Sequence, residues 1–138
     1  MHMNPANFIE PGIRPLVEAL NKTGLLETFS SCEGHFAPDE QQMRDRNHAE
    51  VRFVPAPGAL PGTETTLEHW LGTLLARFKT RHGLMPVTVT GYKLFTPIDE
   101  ETVEETYVIE LRPFNRFDQP ATRRADIDRA VRQLADLM

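Results

Sequence analysis

The 138-residue chain has one cysteine, Cys32, one tryptophan and two tyrosines. A single cysteine excludes an intramolecular disulfide, and it excludes a structural zinc site with two or more Cys ligands from one chain. Long apolar runs are missing too. The longest helical stripe is broken by Arg77 and Lys79, so no bilayer-spanning helix is expected. Met1 to Glu10 holds neither a basic segment nor an apolar core, so no secretory signal is expected and the expected location is cytoplasmic. There is no excess of positive charge: 15 Lys and Arg face 20 Asp and Glu, a net −5. Five of those acids fall between Asp99 and Glu105, and outside that run the count is 15 against 15. The acidity is one patch on a neutral body, which makes nucleic acid an unexpected partner. Gly-rich phosphate loops and hydrolase triad motifs are absent as well.

What is present fits one domain over residues 1–138. Apolar residues make up 40% and charged residues 25%, which argues against disorder and against a coiled coil. Ile13, Leu16, Val17 and Leu20 form an apolar face on a helix from about Pro11 to Lys22, with Pro11 and Pro15 in its first turn and Gly24 after its end. Leu25 to Ser31 and Ala49 to Val54 read as strands, the second with Val51 and Phe53 on one face and Glu50 and Arg52 on the other. Pro55 to Gly62 holds three prolines and two glycines, cannot be regular structure, and divides the chain.

Leu67, Trp70, Leu71, Leu74, Leu75 and Phe78 keep the 3.6-residue period of a second helix. Thr65 and Glu68 read as its capping box, and Arg77, Lys79 and Arg81 sit where the helix dipole favours cations. Met85 to Phe95 and Glu105 to Arg112 read as strands, with a bulge expected at Gly91. Ile127, Ala130, Val131, Leu134 and Leu137 stripe a last helix over about 120–137. The order is αββ–αββ–α, with pseudo-halves of about 11–54 and 63–112. The expected fold is α+β: a four-stranded, mainly antiparallel sheet with helices packed on one face. The pattern does not set the strand order.

The stretch Thr28-Phe29-Ser30-Ser31-Cys32-Glu33-Gly34-His35 ends a strand and opens a long connection, Phe36 to His48. Such loops are often functional, and this one is expected to act as a cover. If the flanking strands pair as a hairpin, Cys32 lies near His48 and Glu50. If Phe29 shares the core face with Val51 and Phe53, then Thr28, Ser30 and Cys32 share the other face with Glu50 and Arg52.

Three chemical readings of this corner compete. Cys32 and His35, completed by His48 or Glu50, have the donor types and spacing for a metal such as zinc with an open position. Alternatively Cys32 is a nucleophile, with His35 or His48 as base, Glu33 or Glu50 orienting the ring, and Gly34 letting backbone N–H groups approach an oxyanion. In the third reading Ser30, Ser31 and Arg52 hold a polar or anionic small molecule. Plain packing stands against all three, because a lone Cys is among the most often buried residues. Trp70 reads as packing, His69 and His82 as exposed, the acidic run as a solvated turn, and the arginines from Arg112 to Arg132 as mixed charge on a helix face.

Thr28, Ser30, Ser31, Cys32 and Gly34 resemble the T-x-S-S-C-x-G-R signature of the wybutosine-synthesis tRNA methyltransferase family, over roughly Ile13 to Val54. His35 stands where that family has Arg. The resemblance implies S-adenosylmethionine as cofactor and methylation of a modified guanosine in tRNA. The Ser-Cys-Glu-Gly-His stretch is also similar to that of small bacterial proteins of unassigned activity. The leading expectation is binding of a polar small molecule or metal ion through Cys32, His35 and His48, with Ser30, Ser31, Glu33, Gly34, Glu50 and Arg52 in support. The alternatives are a thiol-dependent or S-adenosylmethionine-dependent RNA-modifying enzyme, and a homodimeric interaction module without catalysis.

Overall fold

The computed structural model describes residues 8–37, 47–57 and 63–138, with side chains from Thr66 onward in the last segment. Helix α1 (Arg14–Lys22) leads into strands β1 (Leu26–Cys32) and β2 (Ala49–Pro55). Helix α2 (Thr63–His82), strands β3 (Val87–Pro97) and β4 (Val103–Pro113), and helix α3 (Pro120–Ala135) follow. The strands form one antiparallel sheet in the order β1-β2-β4-β3. Each half of the chain is therefore a hairpin, and the hairpins join along β2 and β4.

All three helices pack on one face of the sheet. Leu16, Val17 and Leu20 of α1, Leu67, Leu71, Leu74 and Phe78 of α2, and Ile127, Val131 and Leu134 of α3 meet Val51, Phe53, Ile109 and Leu111 in a single core. Each fully buried aliphatic side chain contributes about 1.5–3 kcal/mol of transfer free energy, so these stripes set which face of each helix turns inward. Phe53 and Tyr107 stack within the core with ring centroids 5.7 Å apart. Trp70 packs against this core as a half-buried residue, as its register predicts.

Several expectations from the sequence are corrected. The helix expected from Pro11 begins at Arg14, because the turn before it is committed elsewhere: the Gly12 N–H donates to Glu33 Oε1 at 2.7 Å. Phe29 does not reach the core. The β1–β2 register slips between Thr28 and Ser30, which places Thr28 opposite Phe53 and leaves Phe29 45% exposed. No bulge interrupts β3 at Gly91, where pairing with β4 is continuous. Gly91 instead marks a close approach of α2, since a Cβ there would lie 2.9 Å from Leu75 Cδ1. Helix α2 starts at Thr63, before the expected cap at Thr65, whose side chain lies outside the described residues. Its supposed capping partner Glu68 binds Lys93 Nζ at 2.6 Å and accepts from Tyr107 Oη at 3.2 Å. His82 is not a free surface residue either, since its ring packs 5.0 Å from that of Phe78.

Candidate functional site

The face of the sheet away from the helices is polar in composition yet closely packed. Directly opposed residues of neighbouring strands share a face, so the pairing lays out rows across it. One row is Cys32–Glu50–Glu110–Thr90, and the next is Ser30–Arg52–Val108–Tyr92. Cys32, Glu50 and Glu110 are 6%, 4% and 7% exposed, and Val108 is fully buried between its neighbours Arg52 and Tyr92. A buried carboxylate is costly without partners, so the surroundings of Glu50 and Glu110 are the informative part. Two groups of donor atoms form along this row.

The first group stands where β1 ends. Glu10, Cys32 and His35 bring a carboxylate oxygen, a thiol sulfur and a ring nitrogen within 4.8 Å of one another. His35 Nε2 is 3.4 Å from Glu10 Oε2, and the other Glu10 oxygen accepts the Glu33 N–H at 2.9 Å. The two carboxylates, Glu10 and Glu33, thus receive backbone amides, which hold them in place and leave their negative charge standing.

Helix α3 fixes the backbone beneath this group. Arg124 donates to the carbonyls of Glu33 and Gly34 at 2.6 and 2.9 Å, and is itself paired with Asp128. Arg123, 8% exposed, donates to Asp118 O at 2.9 Å and to Asn47 Oδ1 at 2.8 Å. Both guanidinium groups lie over the buried Phe36 ring, at 5.4 and 5.2 Å. These two arginines are therefore a clamp on the Cys32–Phe36 segment and not part of a solvated helix face. Gly34 has φ +91°, and a Cβ there would lie 2.7 Å from Phe36 Cζ. The left-handed backbone and the ring contact account for the glycine without an oxyanion.

The second group lies one and two strands further in. His48 Nε2 is 2.9 Å from Glu50 Oε1 and 3.7 Å from Glu110 Oε2. Arg52 Nε donates to the other Glu50 oxygen at 2.8 Å, Arg112 Nε donates to Glu110 Oε1, and Tyr92 Oη donates to Glu110 Oε2 at 3.1 Å. The hydrogen bond from His48 is the largest influence on Glu50; with Arg52 it outweighs desolvation and pulls the carboxyl pKa down from 4.5 to about 2. Burial first, then the Glu110 charge, pushes the Tyr92 phenol above its usual value. His48 also lines a cleft of about 390 Å³ whose described walls are Asn47, His48, Arg112, Pro113, Phe114 and Arg116.

The expected corner is thus two adjoining groups. Cys32 and His35 come together with Glu10, while His48 joins Glu50, Arg52 and Glu110. Ser30 lies in the Arg52 row, and Ser31 opposes Val51 on the helix-facing side of the strand. Glu33 orients the turn before α1 through Gly12, and not a histidine ring. Thr28, one of the residues shared with the methyltransferase signature, exchanges hydrogen bonds with Asn21 at the end of α1. Phe36, which opens the long connection, is core, and residues 38–46 of the expected cover lie outside the described residues. Sequence reading missed Glu10 and Glu110. Glu110 was detectable in principle, because a strand reading Val108-Ile109-Glu110-Leu111 places one acid amid apolar residues. No family model, no curated protein and no solved structure matches the chain. Among the described residues, no helix is long and apolar enough to cross a membrane.

Proposed function

We propose that the protein binds a metal ion through Glu10, Cys32 and His35, with zinc the best match to the donor set. The carrying observation is the convergence of these three donors within 4.8 Å, from the turn before α1, the end of β1 and the loop after it. Ligand atoms around a tetrahedral zinc stand roughly 3.5 Å apart, so about an ångström of closure completes the set. One thiolate, one imidazole and one carboxylate leave a fourth position for water or a small ligand.

Charge decides between the two groups of donors. Around Glu50 and Glu110 each carboxylate has its own guanidinium, from Arg52 and Arg112, and a cation would have to displace them. Glu10 and Glu33 accept from neutral amides, and the nearby Arg124 is matched by Asp128. Among the described residues, the carboxylates of Glu10 and Glu33 at the Cys32 corner have no guanidinium partner of their own, which favours a cation.

The test is metal content of the purified, untagged protein beside Cys32→Ser, followed by cobalt titration of the metal-free protein. The expected result is near one equivalent of zinc in the wild type, lost in the variant, with a thiolate-to-cobalt charge-transfer band that Cys32→Ser abolishes. Neither zinc nor a cobalt band in the wild type would overturn the proposal.

The 3.4 Å approach of His35 to Glu10 beside the thiol favours a second reading, a thiol nucleophile with an oriented base. That reading requires fast alkylation of Cys32 at neutral pH, slowed by His35→Ala in metal-free protein.

A further inference from the structure

We infer that the cleft beside His48 binds a phosphorylated small molecule carrying a flat ring, of the nucleoside monophosphate class. This site is separate from the proposed metal centre and draws on residues that the metal does not use. It forms where β4 leaves the sheet in the run Arg112-Pro113-Phe114-Asn115-Arg116-Phe117, opposite Asn47 and His48 just before β2.

The charge pattern selects an anion. Arg112 engages Glu110 through Nε alone, so its two terminal nitrogens remain as donors on a side chain that is 53% exposed. Arg116 is exposed in the cleft wall, and its guanidinium lies 5.4 Å from the Phe117 ring centroid. Among the described residues of the wall, Arg112 is balanced by Glu110 and Arg116 adds a further positive charge. Two arginines lining one space suit the several oxygens of a phosphate.

Two groups in the opposite wall are held in fixed orientation. His48 is anchored through Nε2 to the ionised Glu50, so its ring is oriented before any ligand arrives. Asn47 accepts from the buried Arg123 through Oδ1, which fixes its amide as well.

The ring requirement comes from Phe114. It is 57% exposed, lines the cleft and falls between the two arginines in sequence, while Phe117, three residues on, is 86% exposed. Aromatic side chains interleaved with arginines provide a stacking surface for a base together with donors for its phosphate. At about 390 Å³ the space falls in the range of small-ligand sites.

The experiment is calorimetric titration of the full chain with AMP, adenosine and inorganic phosphate. AMP is expected to bind more tightly than either component. Phe114→Ala should weaken AMP roughly tenfold and leave phosphate unchanged, whereas Arg116→Gln should weaken both AMP and phosphate about tenfold. Both residues are exposed, so neither variant should compromise folding, and matching thermal unfolding curves check this. If AMP binds no better than phosphate, or if Phe114→Ala leaves AMP affinity unaltered, the ring component of the inference is overturned. Absence of binding by all three probes overturns the site.

Discussion

The depressed Glu50 carboxyl gives a quantitative prediction. A shift from 4.5 to about 2, at about 1.4 kcal/mol per tenfold change in proton affinity, makes the ionised form worth roughly 3 kcal/mol to the folded state. Because the folded pKa is the lower one, this stability is fully present above about pH 4.5. It is lost as pH falls from there towards 2. Glu50→Gln keeps the shape and removes the charge facing His48 and Arg52. The variant should be less stable than wild type by roughly 3 kcal/mol at pH 7, the usual scale for breaking a buried ion pair. The gap should narrow as the wild-type carboxyl protonates, falling to about 1 kcal/mol by pH 2.5 and vanishing only below the folded pKa. Urea unfolding of both proteins at several pH values between 7 and 2.5 measures it, and taking the difference cancels the acids common to both chains. A gap that stays constant over this range would refute the reasoning, because it would trace the loss to packing and not to ionisation.

Three further outcomes follow from packing. Gly34→Ala should destabilise by about 2–4 kcal/mol, since it adds a clash with Phe36 to an unfavourable left-handed backbone; Gly24→Ala, with similar φ and open space, should cost only about 1 kcal/mol, and equal losses by thermal unfolding would contradict the ring contact. Gly91→Ala should cost about 1–3 kcal/mol by pushing α2 off the sheet, and the loss should shrink in a Leu75→Ala background when measured as a double-mutant cycle. Arg123→Ala should cost about 1–3 kcal/mol by leaving part-buried acceptors unmatched, and by hydrogen exchange it should raise amide exposure around Phe36; unchanged protection there would remove the clamp.

The helices were the most readable part of the chain, because their stripes depend only on local spacing. Leu67, Leu71, Leu74 and Phe78 of the stripe are buried and Trp70 and Leu75 pack partly buried against them, and hairpin pairing correctly brought Cys32 opposite Glu50. Phe29 misled because side-chain parity fails across an irregularity, and no residue of β1 announces where the register slips. Gly91 looked like a bulge because a glycine breaks alternation in sequence whether it bends the strand or admits a helix above it. Glu10 and the Arg123–Arg124 clamp were hidden for another reason. They reach the Cys32 segment from elements 23 to 91 residues away, and contacts of that kind exist only once α1 and α3 dock.

The order β1-β2-β4-β3 has a consequence for how the molecule matures. Each hairpin joins consecutive strands, but the seam between β2 and β4 joins residues from opposite halves, and such non-local pairing is the slow kind of contact to form. The cleft straddles that seam, with Asn47 and His48 from one side and Arg112, Phe114 and Arg116 from the other. A chain whose hairpins have formed but not yet joined has no such cleft, so the cleft exists only once that long-range pairing is made. A ligand of the cleft would accordingly favour the joined sheet over the separated hairpins.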